Sequence, residues 1–225
     1  MARQTPTRTH RIRLWDLPLR LVHWSLVVLL PSLWWAWRSG ETQLHEKLGY
    51  ITLAFLLFRL LWGVFGSSNA RFLNFVKGPR AIAAYLRGSS TPNAGHNPLG
   101  ALSVLAILGA MILEAGLGLF AQDVDGIEAG ALARFVSYET AERAREWHAL
   151  LFNVILFLVA FHILAILFYL LVRRDDLVSP MVTGRKSFGD EVEEPRMAGP
   201  LRMLPAVAIA GIIAWWISTG LVGLG

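Results

Sequence analysis

Trp147-His148-Ala149-Leu150-Leu151-Phe152-Asn153-Val154-Ile155-Leu156-Phe157-Leu158-Val159-Ala160-Phe161-His162 is an uncharged apolar run with a histidine near each end, and it continues apolar to Val172. The run has no period-two alternation, so it is not a strand of a lipid-facing barrel. At 1.5 Å per residue a helix of this length crosses about 30 Å of hydrocarbon. Comparable blocks occupy residues 21–37, 48–65, 99–121 and 204–224. The expected fold class is therefore all-α: an integral membrane helical bundle with a four-helix core and a fifth C-terminal transmembrane helix.

Composition points the same way. Of 225 residues, 55% are hydrophobic and only 16% charged, with a mean hydropathy of +0.49, whereas a soluble domain carries about a quarter charged residues. The absence of cysteine excludes a disulfide framework, a thiolate-held iron–sulfur cluster and covalent haem attachment through CxxCH. A net charge of +5 in so apolar a chain is assigned to loops facing anionic lipid, and no nucleic-acid partner is expected.

The first block follows Arg3, Arg8, Arg11, Arg13 and Arg20 and ends in Arg38-Ser39-Gly40-Glu41 without an Ala-x-Ala cleavage site, so it reads as a retained helix. Basic residues number five in the N-terminal tail, four between spans two and three, and six between Arg173 and Arg202, against five in the two opposite loops. The positive-inside rule places the N-terminus in the cytoplasm. The expected organisation is a basic cytoplasmic tail (1–13), a four-helix core (14–186), a flexible cytoplasmic linker (187–203) and the fifth helix (204–225). Residues 66–98 contain Pro79, Gly88-Ser89-Ser90 and Asn97-Pro98, and read as a surface loop with one short interfacial helix.

Four of the six histidines, His23, His45, His148 and His162, lie inside or at the mouths of apolar blocks, where an ionisable side chain is costly. His148 and His162 are 14 residues apart, within about 40° of four whole turns and separated by about 21 Å along the axis. Both rings face one way, at opposite depths. With alternating helix directions, His23 shares the inner depth with His162, and His45 the outer depth with His148. Two histidines on facing helices are the axial ligands of a low-spin haem, whereas zinc requires three or four ligands. Proton-relay histidines, or histidines bonded to neighbouring helices, are the competing readings.

Arg59 follows His45 by 14 residues, which places it on the same helix face at inner depth, where a haem propionate would supply its anionic partner. Arg20, nearly one turn before His23, is a second propionate candidate; for both arginines the alternative is snorkelling to the membrane surface. His96 and Glu114 are candidates without an assigned role. Trp15, Trp24 and Trp62 suit an inner aromatic belt, and Trp34, Trp35, Trp37 and Trp147 an outer one. Trp215 and Trp216 fall near the middle of the fifth block. Gly109, Gly116 and Gly118 suit close packing of span three.

Several stretches together resemble the prokaryotic cytochrome b561 family, which is grouped with the b-type cytochrome subunits of nickel-iron hydrogenases. They are Trp15-Asp16-Leu17-Pro18 through His23-Trp24; His45-Glu46-Lys47-Leu48-Gly49-Tyr50 running to Phe58-Arg59-Leu60-Leu61-Trp62-Gly63; Gly95-His96-Asn97-Pro98-Leu99-Gly100; Trp147-His148 with Phe161-His162; and Met181-Val182-Thr183-Gly184-Arg185-Lys186. The resemblance covers about residues 14–186. It implies two haem b groups held by the four histidines, in a carrier that moves electrons across a bacterial inner membrane between quinone and a redox partner such as a periplasmic cytochrome. The alternative expectation is a haem-bearing membrane anchor for a soluble redox enzyme such as a hydrogenase. A haem-free transporter using histidines as proton relays is the third.

Overall fold

Proline and short polar side chains set where the long helices begin. Asp16 accepts a hydrogen bond from the Leu19 amide (2.8 Å) and caps α1 (Leu17–Arg38), with Pro18 in its first turn. Asn97 accepts from the Gly100 amide (2.7 Å) and caps α5 (Pro98–Phe120) in the same way. Ser137 caps α6 (Tyr138–Leu171). The computed structural model describes residues 10–88, 95–123, 125, 128–189 and 192–222.

In chain order the described elements are β1 (His10–Arg13), α1, α2 (Thr42–Phe65), α3 (Phe72–Phe75), α4 (Pro79–Leu86), α5, α6, α7 (Val178–Thr183), β2 (Arg185–Phe188) and α8 (Met203–Ser218), with short 3-10 turns before α6 and α8. Among them α1, α2, α5 and α6 are long and apolar enough to cross a membrane. The chain is thus the all-α membrane bundle expected. The loop expected between spans two and three holds two short helices rather than one.

α1 packs along α2 and α5 along α6, making two helix hairpins; α2 also meets α5 and, on another side, α8. Leu56 of α2, Leu108 and Met111 of α5 and Ile155 of α6 form the core between the hairpins. A second core, at the end where α1 begins, joins Trp15, Leu19 and Val22 to Phe58 and Trp62, and to Ala206 and Ala210 of α8. There the Trp62 indole donates to Asp16 Oδ2 (2.8 Å), so one carboxylate both caps α1 and ties it to α2.

The polar segments are more ordered than their composition suggests. β1 pairs antiparallel with β2, His10 opposite Phe188 and Arg13 opposite Arg185. Gly184 ends α7 in the left-handed region (φ 79°), and its carbonyl accepts the amides of Leu14 (2.8 Å) and Trp15 (3.2 Å). A Cβ at Gly184 would meet the Trp15 carbonyl at 2.8 Å, so the close approach requires glycine. The segment expected as a flexible linker is clamped onto the turn after α2: the Ala198 amide donates to Ser67 Oγ (2.8 Å) and the Arg196 amide to Ser68 Oγ (3.0 Å).

α8 covers 16 residues, about 24 Å of helix. Its first turn follows the Ser67–Ser68 clamp, and at its far end the Gly220 carbonyl accepts the Arg134 guanidinium from the loop before α6. Trp215 and Trp216 stand in its last turn rather than mid-helix, and both are exposed, a position that suits an aromatic belt.

Asp16→Ala removes a helix cap and leaves the Trp62 N–H without an acceptor, and is expected to destabilise the protein by about 2 kcal/mol. Trp62→Phe loses only the second of these bonds and is expected to cost less. Thermal unfolding of the detergent-purified variants measures both.

Candidate functional site

His45 enters the bundle from the first turn of α2, and its Nδ1–H donates to the Leu33 carbonyl of α1 (2.9 Å). His148 of α6 makes the equivalent bond to the Glu114 carbonyl of α5 (3.0 Å). A carbonyl can only accept, so each Nδ1 carries the hydrogen and Nε2 is the nitrogen left to meet another partner. The two ring centres are 6.2 Å apart, with planes at 89°. A metal ion bonded to one nitrogen of each ring would fit a spacing of this size.

The remaining polar and small groups around the outer pair also bear on it. Glu114 Oε1 lies 3.4 Å from His148 Nδ1, while its Oε2 is buried without a hydrogen-bond partner. Gly118, one turn further along α5, lies under the His148 ring, where an added Cβ would be 3.1 Å from Cε1. Gly118 is opposed in this way, whereas Gly109 and Gly116 of the same helix have nothing within 4 Å. Glu114 and Gly118 were readable as an intramembrane acid and a small residue; what each touches was not.

At the other depth His23 on α1 and His162 on α6 lie within electrostatic reach of each other. His23 Nδ1 is buried without a partner, and His162 Nδ1 has a long contact with Ser103 Oγ (3.4 Å). Arg59 is 5% exposed; its guanidinium lies 4.7 Å from the centre of the Phe72 ring and donates to the Ala70 carbonyl (3.3 Å). Its remaining N–H groups make no further hydrogen bond among the described residues. Arg20 bonds the Val182 carbonyl, and its Nε is buried without a partner. Trp24 Nε1 donates to the adjacent Met181 carbonyl (3.1 Å), so the segment before Gly184 is held against the start of α1.

His96 joins the inner end through contacts that sequence spacing does not encode. Its ring sits between Trp15 (4.7 Å between centres) and Phe75 (4.6 Å), with Nδ1 closed off and unpartnered. The Gly-His-Asn-Pro stretch is the signal that marked it; the aromatic pair comes from two distant segments. Among the described residues no three of His, Cys, Asp and Glu come together as a metal cluster, so the histidines stand in pairs.

Imidazoles at two depths of an apolar four-helix core are the arrangement expected of a membrane protein of the b-type cytochrome class. The family model described as prokaryotic cytochrome b561 matches residues 14–184, and the chain belongs to that family. It is 27% identical over 222 residues to a protein of Azotobacter vinelandii named "Probable Ni/Fe-hydrogenase B-type cytochrome subunit", covering 80% of this chain and 90% of that one. Proteins of the same name in Azotobacter chroococcum mcd 1 (27% over 221 residues, 80% and 90% covered) and Bradyrhizobium diazoefficiens (22% over 220 residues, 80% and 87% covered) are also similar. No solved structure matches significantly. The protein is accordingly a multi-pass b-type haem membrane cytochrome, with electron transport as its business.

Burial, with the Arg59 cation and His162 adding to it, holds the His96 imidazole down to about 4, from an ordinary 6.5. Between those values the unfolded chain binds a proton that the folded chain does not, so His96 makes stability fall as pH drops from about 6.5 toward about 4. The melting temperature of His96→Phe, measured across that window, should depend less on pH than that of the parent protein.

Proposed function

We propose that this chain is a dihaem cytochrome b in which His45 and His148 hold an outer haem b and His23 and His162 an inner one. The observation that carries the reading is the outer pair: two histidines from different hairpins, ring centres 6.2 Å apart, each with Nδ1 bonded to a backbone carbonyl. A ligand histidine is normally fixed in this way through its second nitrogen, which sets the tautomer and the ring orientation. Haem b would supply a reversible one-electron iron couple at each depth.

The protein's own groups would then do three things. The Leu33 and Glu114 carbonyls aim the outer ligands. The buried Arg59 offers spare N–H donors to an inner propionate, and Arg20, whose Nε lacks a partner, is placed to serve the same anion once released from Val182. The apolar shell of Leu56, Leu108, Met111 and Ile155 keeps water from the space between the two sites.

On this reading electrons cross a bacterial inner membrane between the quinone pool and a redox partner, a periplasmic cytochrome or another redox subunit, with the N-terminus in the cytoplasm. The basic residues clustered at the α1 start, the α2 end and the α8 start support that orientation. α8 is read as a fifth crossing because its two ends touch opposite ends of the four-helix core. The names of the similar proteins favour a second version, in which the chain anchors a soluble redox enzyme and passes its electrons to the membrane.

A reduced-minus-oxidised spectrum with pyridine haemochrome quantitation tests the assignment. Two low-spin b haems per chain are expected, reducible by a quinol analogue. His148→Ala is expected to lose the outer haem and His162→Ala the inner one, each retaining about half the parent content. Full haem in either variant would overturn the pairing, and colourless protein from cells well supplied with haem would overturn the dihaem reading.

A further inference from the structure

A cavity of about 650 Å³ opens where the turn after α2 meets the start of α8, lined by Arg71, Arg196 and Arg202 together with Met197, Gly199 and Leu201. No carboxylate lines it. Among the described residues none of the three arginines forms an ion pair. Arg71 Nε donates to the Gly66 carbonyl (2.8 Å); the side chains of Arg196 and Arg202 have no hydrogen-bond partner among the described residues. Glu194, two residues before Arg196, is engaged with the ribbon, where it accepts the Arg13 amide (3.0 Å).

The cations are brought together by a built scaffold. Ser67, 2% exposed, accepts the Ala198 amide, and Ser68 accepts the Arg196 amide while its own amide donates to the Arg196 carbonyl (3.0 Å). These bonds are all to the Arg196 and Ala198 backbone, so they fix where the arginines sit without occupying their guanidinium groups. Three like charges facing one cavity repel each other unless an anion lies between them.

We propose that this cavity binds the phosphate headgroup of an anionic phospholipid. The choice of lipid over a freely diffusing anion rests on the surroundings. The cavity follows the end of a membrane-spanning helix whose last residues, Val64 and Phe65, are exposed (58% and 62%), and Leu201 and Leu204 (80% and 60% exposed) flank Arg202 on the α8 side. A phosphodiester among the arginines would leave its acyl chains against these apolar side chains. Basic pockets between helices at a membrane surface bind anionic headgroups for this reason. The site is independent of how the histidines are used.

The full chain, purified in detergent, would be titrated with dioctanoyl phosphatidylglycerol and dioctanoyl phosphatidylcholine, with bound lipid counted by native mass spectrometry and inorganic phosphate added as competitor. The parent protein should retain one phosphatidylglycerol with about a tenfold preference over phosphatidylcholine, which millimolar phosphate does not displace. Arg196→Gln with Arg202→Gln, which leaves the backbone clamp intact, should bring the two lipids to parity. Arg196→Lys with Arg202→Lys should keep most of the preference, and an unchanged melting temperature would separate lost binding from lost fold. Equal retention of the two lipids by the parent protein, or an undiminished preference in the glutamine variant, would overturn the site. Displacement by phosphate would reassign it to a free anion and overturn the lipid assignment.

Discussion

Inside a bilayer an imidazole cannot leave its N–H to water, and the placement of His45 and His148 follows from that constraint. Each gives its Nδ1–H to a carbonyl of the helix beside it within its own hairpin: His45 of α2 to Leu33 of α1, His148 of α6 to Glu114 of α5. The second nitrogen of each ring is left for the other hairpin. The hydrogen bonds that satisfy the histidines therefore also decide that any shared ligand lies between the hairpins, where it would join them. The extensive α1–α2 and α5–α6 seams and the smaller α2–α5 one fit a bundle made of two halves with a site at their boundary.

How much of this was legible depends on range. The pairing of histidines by depth needed only helix rise and the 14-residue spacing of His148 and His162, quantities local to one helix. The length of α6 was underestimated because Tyr138 to Glu146 is charged and lacks an apolar signature, yet Ser137 caps a helix that starts there. The β1–β2 ribbon escaped notice because four-residue strands rich in arginine carry no alternation that a sequence can display. The linker looked flexible from its charge; Ser67 and Ser68, its partners, lie more than a hundred residues away. His96 is the sharpest case, since the Gly-His-Asn-Pro motif marked the residue while the Trp15 and Phe75 rings that enclose it come from elsewhere.

α2 is the central helix of the fold. Small residues give α8 its place on it: Ala206, Ala210 and Ala214 are buried at four-residue spacing, a stripe that lets two helices approach closely without a large interdigitating side chain. The same region gathers Trp62, Phe58 and the Asp16 carboxylate. The end where α1 begins is thus held by the N-terminal ribbon, α1, α2 and α8 together, while the His45–His148 pair rests on fewer elements. Arg59 belongs to the same end, its guanidinium over the Phe72 ring and bonded to the Ala70 carbonyl, so its charge is held by packing as well as by one hydrogen bond.

α6 has a different part. It contributes a histidine to each pair, whereas α1 and α2 contribute one apiece. Between His148 and His162 it contains neither glycine nor proline, and the helix is unbroken from Tyr138 to Leu171. The separation of His148 and His162 along the helix axis is therefore set by helix rise, about 21 Å, and does not depend on a loop. α1, by contrast, carries Pro31 between His23 and its outer end, where a missing N–H weakens the helical ladder. A change of hairpin packing would accordingly move His23 or His45 relative to α6 before it moved His148 relative to His162. The distance between His148 and His162 is thus set within one helix, and the distance across each pair by packing between helices.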